Sequence, residues 1–214
     1  MTVFVNLQNG IKSFITHKES NMLPQDKQIS TKQDFNRFIQ TEFKQYGVKK
    51  TDLLIPIKEK SVLARHNYLL RKCEYHLNTK HKFRCAVYKL FLFSLQNKYG
   101  MHIPLNCCDE GMKIMHLGNI TMNSKACVGK HCTFHVNTGL VAGGLTSDSP
   151  TLGDGVVVGI GAIVLGGVKV ANNVAIGANA VVNKDVLEEN IAVAGVPAKK
   201  ISENGRLAWN KDRG

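Results

Sequence analysis

The chain has 214 residues, of which 43% are hydrophobic and 21% are charged. This composition is that of a globular protein, and it excludes intrinsic disorder, collagen and a disulfide-dense miniprotein. The net charge is +12, and the excess lies in the first half: residues 1–100 contain 18 basic and 7 acidic residues, residues 101–214 contain 10 and 9. No apolar run is long enough to span a membrane, and the N-terminal segment lacks the pattern of a secretory signal. We therefore expect a cytoplasmic protein.

The six cysteines are spread along the chain without a C-x-x-C pair. A chain that is not exported keeps its thiols reduced, and free cysteine behaves as a small buried apolar residue. We therefore predict structural thiols, with neither a disulfide framework nor a bound metal.

Residues 1–100 are predicted to form a basic α-helical region. Apolar residues recur at helical spacing over 31–47, 61–78 and 83–98, so the pattern predicts three amphipathic helices. Thr31 and Asp34 are typical of a capping box at the first helix start, and Gly47 of its end. The stripe predicted for the third helix consists of Phe83, Val87, Leu90, Phe91, Ser94 and Leu95.

From residue 122 onward the period changes from helical spacing to six. The apolar positions of this repeat are Met122, Val128, Phe134, Leu140, Leu152, Val158, Val164, Val170, Ile176 and Val182, and the residue after each is often glycine or alanine. Each six-residue unit can supply one short strand and one tight turn, and three units close a triangular coil around the repeated apolar residue. The sequence therefore predicts a mainly β protein, a parallel β-helix over residues 101–202.

Two segments fall outside this repeat. Residues 143–150, GGLTSDSP, have no apolar residue at the expected position, so we predict a loop that leaves the coil. Residues 203–214 are polar and are predicted to be a C-terminal tail.

The run from Gly153 to Ile201, with VGIGAIVLGGVKVANNVAIGANAVVNKDV and AGVPAKKI, resembles the hexapeptide-repeat acyltransferases. This resemblance implies a left-handed coil. The order of segments resembles that of serine acetyltransferase: a helical region comes first, then HLGNITMNSKACVGKHCTFH, and then GG before a loop. The segment RKCEYHLN favours the related enzymes of surface-polysaccharide synthesis.

The resemblance implies an O-acetyltransferase that uses acetyl-CoA. An unactivated hydroxyl is a poor nucleophile at neutral pH, so the reaction needs a base, and histidine suits this role. His116, in GMKIMHLGN, matches the catalytic histidine of serine acetyltransferases, and Gly118 beside it allows close backbone approach. His135 follows the core residue Phe134 and is a second candidate, to orient the acceptor or stabilise the oxyanion. No G-x-S-x-G motif occurs, which favours direct transfer without an acyl-enzyme.

Two departures from serine acetyltransferase affect the choice of acceptor. The aspartate that orients the catalytic histidine in that family is replaced by Met101, so the carboxylate partner of His116 is unassigned, although Asp109 and Glu110 lie nearby in sequence. The Arg-His-Pro of the family's loop is replaced by Asp148-Ser149-Pro150. A small zwitterion needs fixed charges around it, so both losses disfavour serine.

The resemblance also implies where coenzyme A binds. Motif matching places Gly143, Gly144, Ile160, Gly161 and Ala178 along the groove for its pantetheine arm, and Lys199 and Lys200 near a phosphate. The glycines also turn the coil without any ligand, and the lysines also fit a solvated basic tail.

The leading hypothesis is therefore an O-acetyltransferase acting on a sugar hydroxyl of a surface polysaccharide or its precursor, and the alternative is serine O-acetyltransferase. A non-catalytic scaffold stays open. The basic charge lacks the setting of a nucleic-acid-binding motif. The basic helices would also suit association with the inner face of the membrane. The resemblance implies a homotrimer, with a dimer of trimers left open, because an isolated coil exposes an apolar face.

Overall fold

The computed structural model describes residues 23–144 and 147–207. Three helices come first: α1 (Lys32–Tyr46), α2 (Glu59–Asn78) and α3 (Lys82–Tyr99), with short 3-10 turns at Gln25–Lys27 and Lys50–Leu53. The Thr31 hydroxyl and the Asp34 carboxylate form the predicted capping box, and Gly47 ends α1 in the left-handed region with φ 60°. None of the described helices is long and apolar enough to cross a membrane.

Three parallel sheets then build the coil. The first contains β1 (Met101–His102), β3 (Ile120–Met122), β6 (Thr138–Val141), β9 (Ile163–Leu165) and β12 (Val181–Val182). The second contains β4 (Cys127–Val128), β7 (Thr151–Leu152) and β10 (Lys169–Val170). The third contains β2 (Lys113–Ile114), β5 (Thr133–Phe134), β8 (Val157–Val158), β11 (Ala175–Ile176) and β13 (Ala192–Ala194), with β14 (Lys199–Ser202) added antiparallel to β13.

The register of the sheets matches the six-residue repeat. Ile120 pairs with Thr138 and Val157 with Ala175, so one coil takes 18 residues, or three repeats. All ten apolar repeat positions named from the sequence are at most 3% exposed. Gly159 shows why small residues follow them, since a Cβ there would lie 2.7 Å from the carbonyl oxygen of Ile176 on the next coil. The prediction of a parallel β-helix core is confirmed.

The predicted loop lies between β6 and β7. Thr133 pairs with Val157, 24 residues away, so this coil holds six residues more than the 18-residue coil that follows it. Residues 145–146 of the loop, and residues 208–214 of the predicted tail, lie outside the described residues. At the described start of the tail, the Gly205 N–H donates to the Asn190 carbonyl at 2.6 Å, so this part of the chain packs against the coil.

Buried directional bonds join the helices to the first coil. The Arg71 guanidinium on α2 bonds to the Glu42 carboxylate at 2.7 Å and the Glu74 carboxylate at 2.9 Å. The same group donates to the carbonyls of Cys108 at 2.7 Å and Asp109 at 2.9 Å. All three charged side chains are at most 2% exposed. These contacts determine how α2 lies along the start of the coil.

The third helix departs from its predicted stripe. Cys85 and Leu92 are its buried apolar residues, whereas Phe83, Leu90 and Phe91 are 82%, 61% and 57% exposed. The prediction that these three residues form a core face is therefore wrong. Because only a narrow side of α3 is buried, helical spacing alone overestimated the width of its buried face.

Candidate active site

His116 lies two residues after β2, at a corner of the first full coil. Its side chain is 61% exposed, so the imidazole can reach a ligand. Two residues later, a Cβ at Gly118 would lie 2.8 Å from Val136 Cγ1 on the next coil. A glycine is therefore required beside His116 if the two coils are to stack at this distance.

The structure supplies the carboxylate that the sequence did not assign. Glu59, the first residue of α2, places Oε2 at 3.4 Å from His116 Nδ1. Its other oxygen, Oε1, accepts a hydrogen bond from the Leu117 backbone N–H at 2.9 Å. Glu59 thus holds both the imidazole and the backbone beside it, and we call these two residues the Glu59–His116 pair.

The pKa of the Glu59 carboxyl is lowered, chiefly by the Leu117 N–H and also by the hydrogen bond and charge of His116. The carboxylate is therefore ionised at neutral pH. An imidazole that donates its Nδ1 proton to such a carboxylate keeps a lone pair on Nε2. The pair can therefore accept a proton from a hydroxyl placed on the Nε2 side.

Glu59 reaches this position because α2 is anchored further along its length. Beside the Arg71 network, the Asn67 amide donates to the Met112 carbonyl at 2.9 Å. On α1, the Tyr46 hydroxyl accepts from the Ile114 backbone N–H at 2.8 Å. Both contacts involve residues within four positions of His116, so α1 and α2 are attached to the coil near the candidate site.

Neither acidic residue near His116 in sequence serves as its partner. The Asp109 carboxylate is buried and accepts from the Glu110 backbone N–H at 2.6 Å. The Glu110 carboxylate accepts from Thr41 Oγ1 at 2.6 Å and pairs with Arg37 Nε at 3.0 Å. No motif marks Glu59, because it lies 57 residues before His116 in a different structural region.

His135 lies on the coil after His116, nearly level with it. The pair Ile114–Phe134 sets the register, so His135 is level with Met115. Its backbone N–H donates to the Val158 carbonyl and its own carbonyl accepts from Thr138 Oγ1, both at 3.0 Å. His135 is half-buried. Its proposed role in the reaction stays a prediction.

The predicted coenzyme A residues lie on two turns of the coil. Gly143 and Gly144 follow β6, and a Cβ at Gly143 would lie 3.2 Å from Gly166 Cα. Ile160 is 47% exposed and Ala178, on the next coil, is also exposed. Between them Gly161 has φ 71°, which favours glycine. The glycines are thus required by the coil, and the two exposed side chains are accessible to a ligand.

The two lysines proposed for phosphate binding differ in their surroundings. Lys200 Nζ lies 2.5 Å from Glu188 and 2.8 Å from Glu203, and hydrogen bonds to these carboxylates raise its pKa. Lys199 is exposed and forms no ion pair with the residues the structure describes. Lys199 is therefore the better candidate for an incoming phosphate.

Comparison with known proteins agrees with this architecture. Residues 149–184 match the family model of the bacterial transferase hexapeptide (six repeats). A serine acetyltransferase of Synechococcus elongatus is 37% identical over 100 residues, which is 45% of this chain and 40% of that protein. Over these 100 residues the chain is similar to a serine acetyltransferase. It spans less than half the length of this curated relative.

Solved structures share the fold. The Neisseria gonorrhoeae serine acetyltransferase in complex with serine superposes with a TM-score of 0.55 at 22% identity, covering 78% of this chain and 67% of that one. A serine acetyltransferase in complex with CoA gives a TM-score of 0.56 at 19% identity, covering 79% and 68%. The fold is therefore a left-handed β-helix preceded by an N-terminal helical region, as the resemblance implied.

The preference for a surface-polysaccharide acceptor is wrong. The Synechococcus elongatus relative is a serine acetyltransferase, and so is a Mycobacterium tuberculosis relative that is 37% identical over 93 residues. The preference depended partly on the missing carboxylate partner of His116. Glu59 supplies that partner from outside the repeat, so the replacement by Met101 does not argue against the serine acetyltransferase-like reading.

Proposed function

We propose that this chain is a serine O-acetyltransferase, which moves the acetyl group of acetyl-CoA to the hydroxyl of serine. The observation that carries the proposal is the Glu59–His116 pair, an exposed imidazole held by an ionised carboxylate. The identity to a serine acetyltransferase supports the choice of serine as acceptor.

His116 is the base in this proposal. Its Nε2 takes the proton of the serine hydroxyl as the oxygen attacks the thioester carbonyl carbon, and Glu59 stabilises the imidazolium that forms. The tetrahedral intermediate then collapses, the C–S bond breaks, and the departing sulfur takes the proton back from His116. No covalent acyl-enzyme is needed.

The donor is proposed to lie along the turns at Gly143–Gly144 and Ile160–Gly161, with Ala178 beside them and Lys199 near a phosphate. Exposed apolar and small side chains suit a pantetheine arm, and an unpaired ammonium suits a phosphate. The complex of a related fold with CoA supports this choice of donor.

A homotrimer is proposed as the assembly. Ile160, Leu187 and Val196 on the coil are 47%, 70% and 72% exposed, and such apolar side chains favour contact with another subunit. Measurement of the mass in solution by light scattering tests this proposal, and a monomer at micromolar concentration would contradict it.

The activity is tested by measuring thiol release from acetyl-CoA with L-serine, D-serine and a panel of sugars as acceptors. We expect release with L-serine, and the product O-acetylserine by mass spectrometry. His116→Ala should lower kcat by about 10²–10⁴-fold, the usual contribution of a general base. His102→Ala is the matched control, since His102 is an exposed histidine on the same coil. A folded protein that releases no thiol with L-serine would overturn the proposal.

A further inference from the structure

The helical region contains a pocket that the acetyl-transfer chemistry does not use. It opens among α1, α2, α3 and the 3-10 turn before α2, with a volume of about 580 Å³. This volume lies in the range of small-molecule sites, roughly 300–1,000 Å³. Lys72 on its wall lies thirteen residues after Glu59 along α2, which corresponds to about 20 Å of helix. The pocket is therefore a separate place from the Glu59–His116 pair.

Four basic side chains from four segments meet at this pocket. They are Lys32 at the start of α1, Lys50 in the 3-10 turn, Lys72 in α2 and Arg84 in α3. No Asp or Glu lines the pocket, and none of the four forms an ion pair with the residues the structure describes. Arg71, which precedes Lys72 in sequence, differs from these four residues because two carboxylates neutralise its charge.

The basic charges act on one another. The pKa of Lys72 is lowered, first by burial and then by Lys50 and Lys32. Like charges that converge without a counter-charge are unfavourable, and a bound anion would relieve this repulsion. The arrangement is typical of a site that recognises phosphate through several charge-assisted hydrogen bonds.

A buried histidine adds a polar atom without a partner. His76 lines the pocket and is only 5% exposed. Its Nδ1 has no hydrogen-bond partner among the described residues, although the ring is stacked on Tyr88 at 5.4 Å and 14°. A buried polar atom without a partner is unusual in a folded protein, so it indicates a missing ligand group or water.

The remaining walls are mostly aromatic. Phe35, Tyr68 and Tyr75 form one cluster, with ring centroids 5.8–5.9 Å apart from Phe35 to each tyrosine. Lys72 Nζ lies 4.4 Å from the centroid of Phe35, and Phe83 at the rim is 82% exposed. Flat side chains beside basic ones suit a ligand that has both a planar ring and phosphates, because rings stack on aromatic faces.

We propose that this pocket binds a nucleoside di- or triphosphate. The phosphates interact with Lys50, Lys72 and Arg84, the ring system packs against the aromatic wall, and His76 Nδ1 bonds to the ligand. This site is independent of the acetyl transfer, and its occupancy can be measured without turnover.

The test is calorimetric titration of the full chain with ADP. Adenosine and pyrophosphate are the two fragment controls, and each should bind more weakly than ADP. The same titration in saturating coenzyme A separates this site from the donor site, because coenzyme A also carries an adenine nucleotide. We expect one ADP per chain, with coenzyme A present or absent.

Two variants localise the binding. Lys72→Gln/Arg84→Gln should weaken ADP binding by about tenfold or more, since it removes two charged partners. Lys44→Gln/Lys184→Gln changes the net charge equally on exposed residues outside the pocket, and should bind like the parent. His76→Phe keeps an aromatic ring against Tyr88 but removes Nδ1, and should weaken binding severalfold. Circular dichroism shows whether each variant is folded.

Four results would overturn the proposal: no ADP binding to the folded parent chain, displacement of ADP by coenzyme A, equal weakening in both double variants, or pyrophosphate binding as tightly as ADP. The last would show a phosphate site that does not recognise the nucleoside.

Discussion

The helical region and the coil are stabilised by different kinds of interior. The coil is filled by one aliphatic or aromatic side chain per repeat, with ten such residues at most 3% exposed. The helices bury Glu42, His66, Asn67, Arg71 and Glu74 among their apolar residues. Burial of aliphatic side chains is non-directional, whereas hydrogen bonds between charged groups are directional and costly to break. The comparison indicates that the polar network sets where α2 lies, and hence where Glu59 meets His116.

The largest expected effect comes from breaking the buried network. Arg71→Met leaves the buried carboxylates of Glu42 and Glu74 without a counter-charge, and should lower the free energy of unfolding by about 3–5 kcal/mol. In the coil, Ile176→Val removes one buried methylene and should cost only about 0.5–1.5 kcal/mol. Urea denaturation measures both. Arg65→Met is the control on α2, and a loss there as large as in Arg71→Met would contradict this account.

The next largest effect is a pH dependence of stability, caused by a buried histidine in the helical region. Burial, the largest cause, lowers the pKa of His66 to about 4 from 6.5. Since the unfolded chain takes up this proton below pH 6.5 and the folded chain does not until about pH 4, stability falls as pH drops between these values. We expect a loss of roughly 2 kcal/mol from pH 7 to pH 5.

Denaturation of the parent and of His66→Gln at both pH values measures this contribution. The variant should show a smaller loss on acidification, whatever its stability at pH 7. His102→Gln, at an exposed site on the coil, should behave like the parent. An unchanged pH dependence in His66→Gln would show that this histidine is not the cause.

A smaller effect concerns the contact between the two regions. Glu59→Gln should lower kcat about tenfold with little change in KM, because the base loses its carboxylate but the substrates keep their contacts. The pKa of Glu59 is lowered in the folded chain. The contribution of its carboxylate to stability is therefore complete above the unfolded pKa, and it is lost as pH falls through the folded pKa.

The pH profile distinguishes this positioning role from simple loss of structure. The loss of rate that follows protonation of the Glu59 carboxylate at acidic pH should be absent in Glu59→Gln, and Glu59→Asp should recover part of the rate. Asp26→Asn removes the same charge at an exposed site and should leave the profile unchanged. If the glutamine variant keeps the parent rate and profile, Glu59 has no role in catalysis.

The smallest effect lies at the end of the coil. Lys199→Gln should raise KM for acetyl-CoA about threefold, which corresponds to an exposed charge interaction. Lys200→Gln should change KM less, since its ammonium is already shared by Glu188 and Glu203. Steady-state kinetics with varied acetyl-CoA compares the two, and a larger effect at Lys200 would reverse the assignment.

Sequence alone predicted the parts of this protein that depend on neighbours in the chain. The six-residue period located the core of the coil, since each strand and turn uses residues close together in sequence. The helices over 31–47, 61–78 and 83–98 lie within two residues of those observed, because capping and helical periodicity are also local. Resemblance to a known motif indicated His116 as the candidate base, and this role stays a prediction.

Only the tertiary structure decided the rest. Glu59 and His116 are 57 residues apart, and nothing near either residue marks the other. Their meeting depends on how α2 docks, which Arg71 and Asn67 determine through backbone carbonyls that carry no sequence signal. The exposure of the α3 stripe and the formation of the basic pocket also depend on tertiary structure. The packing of the helices decides which side chains are buried and which basic side chains lie close together.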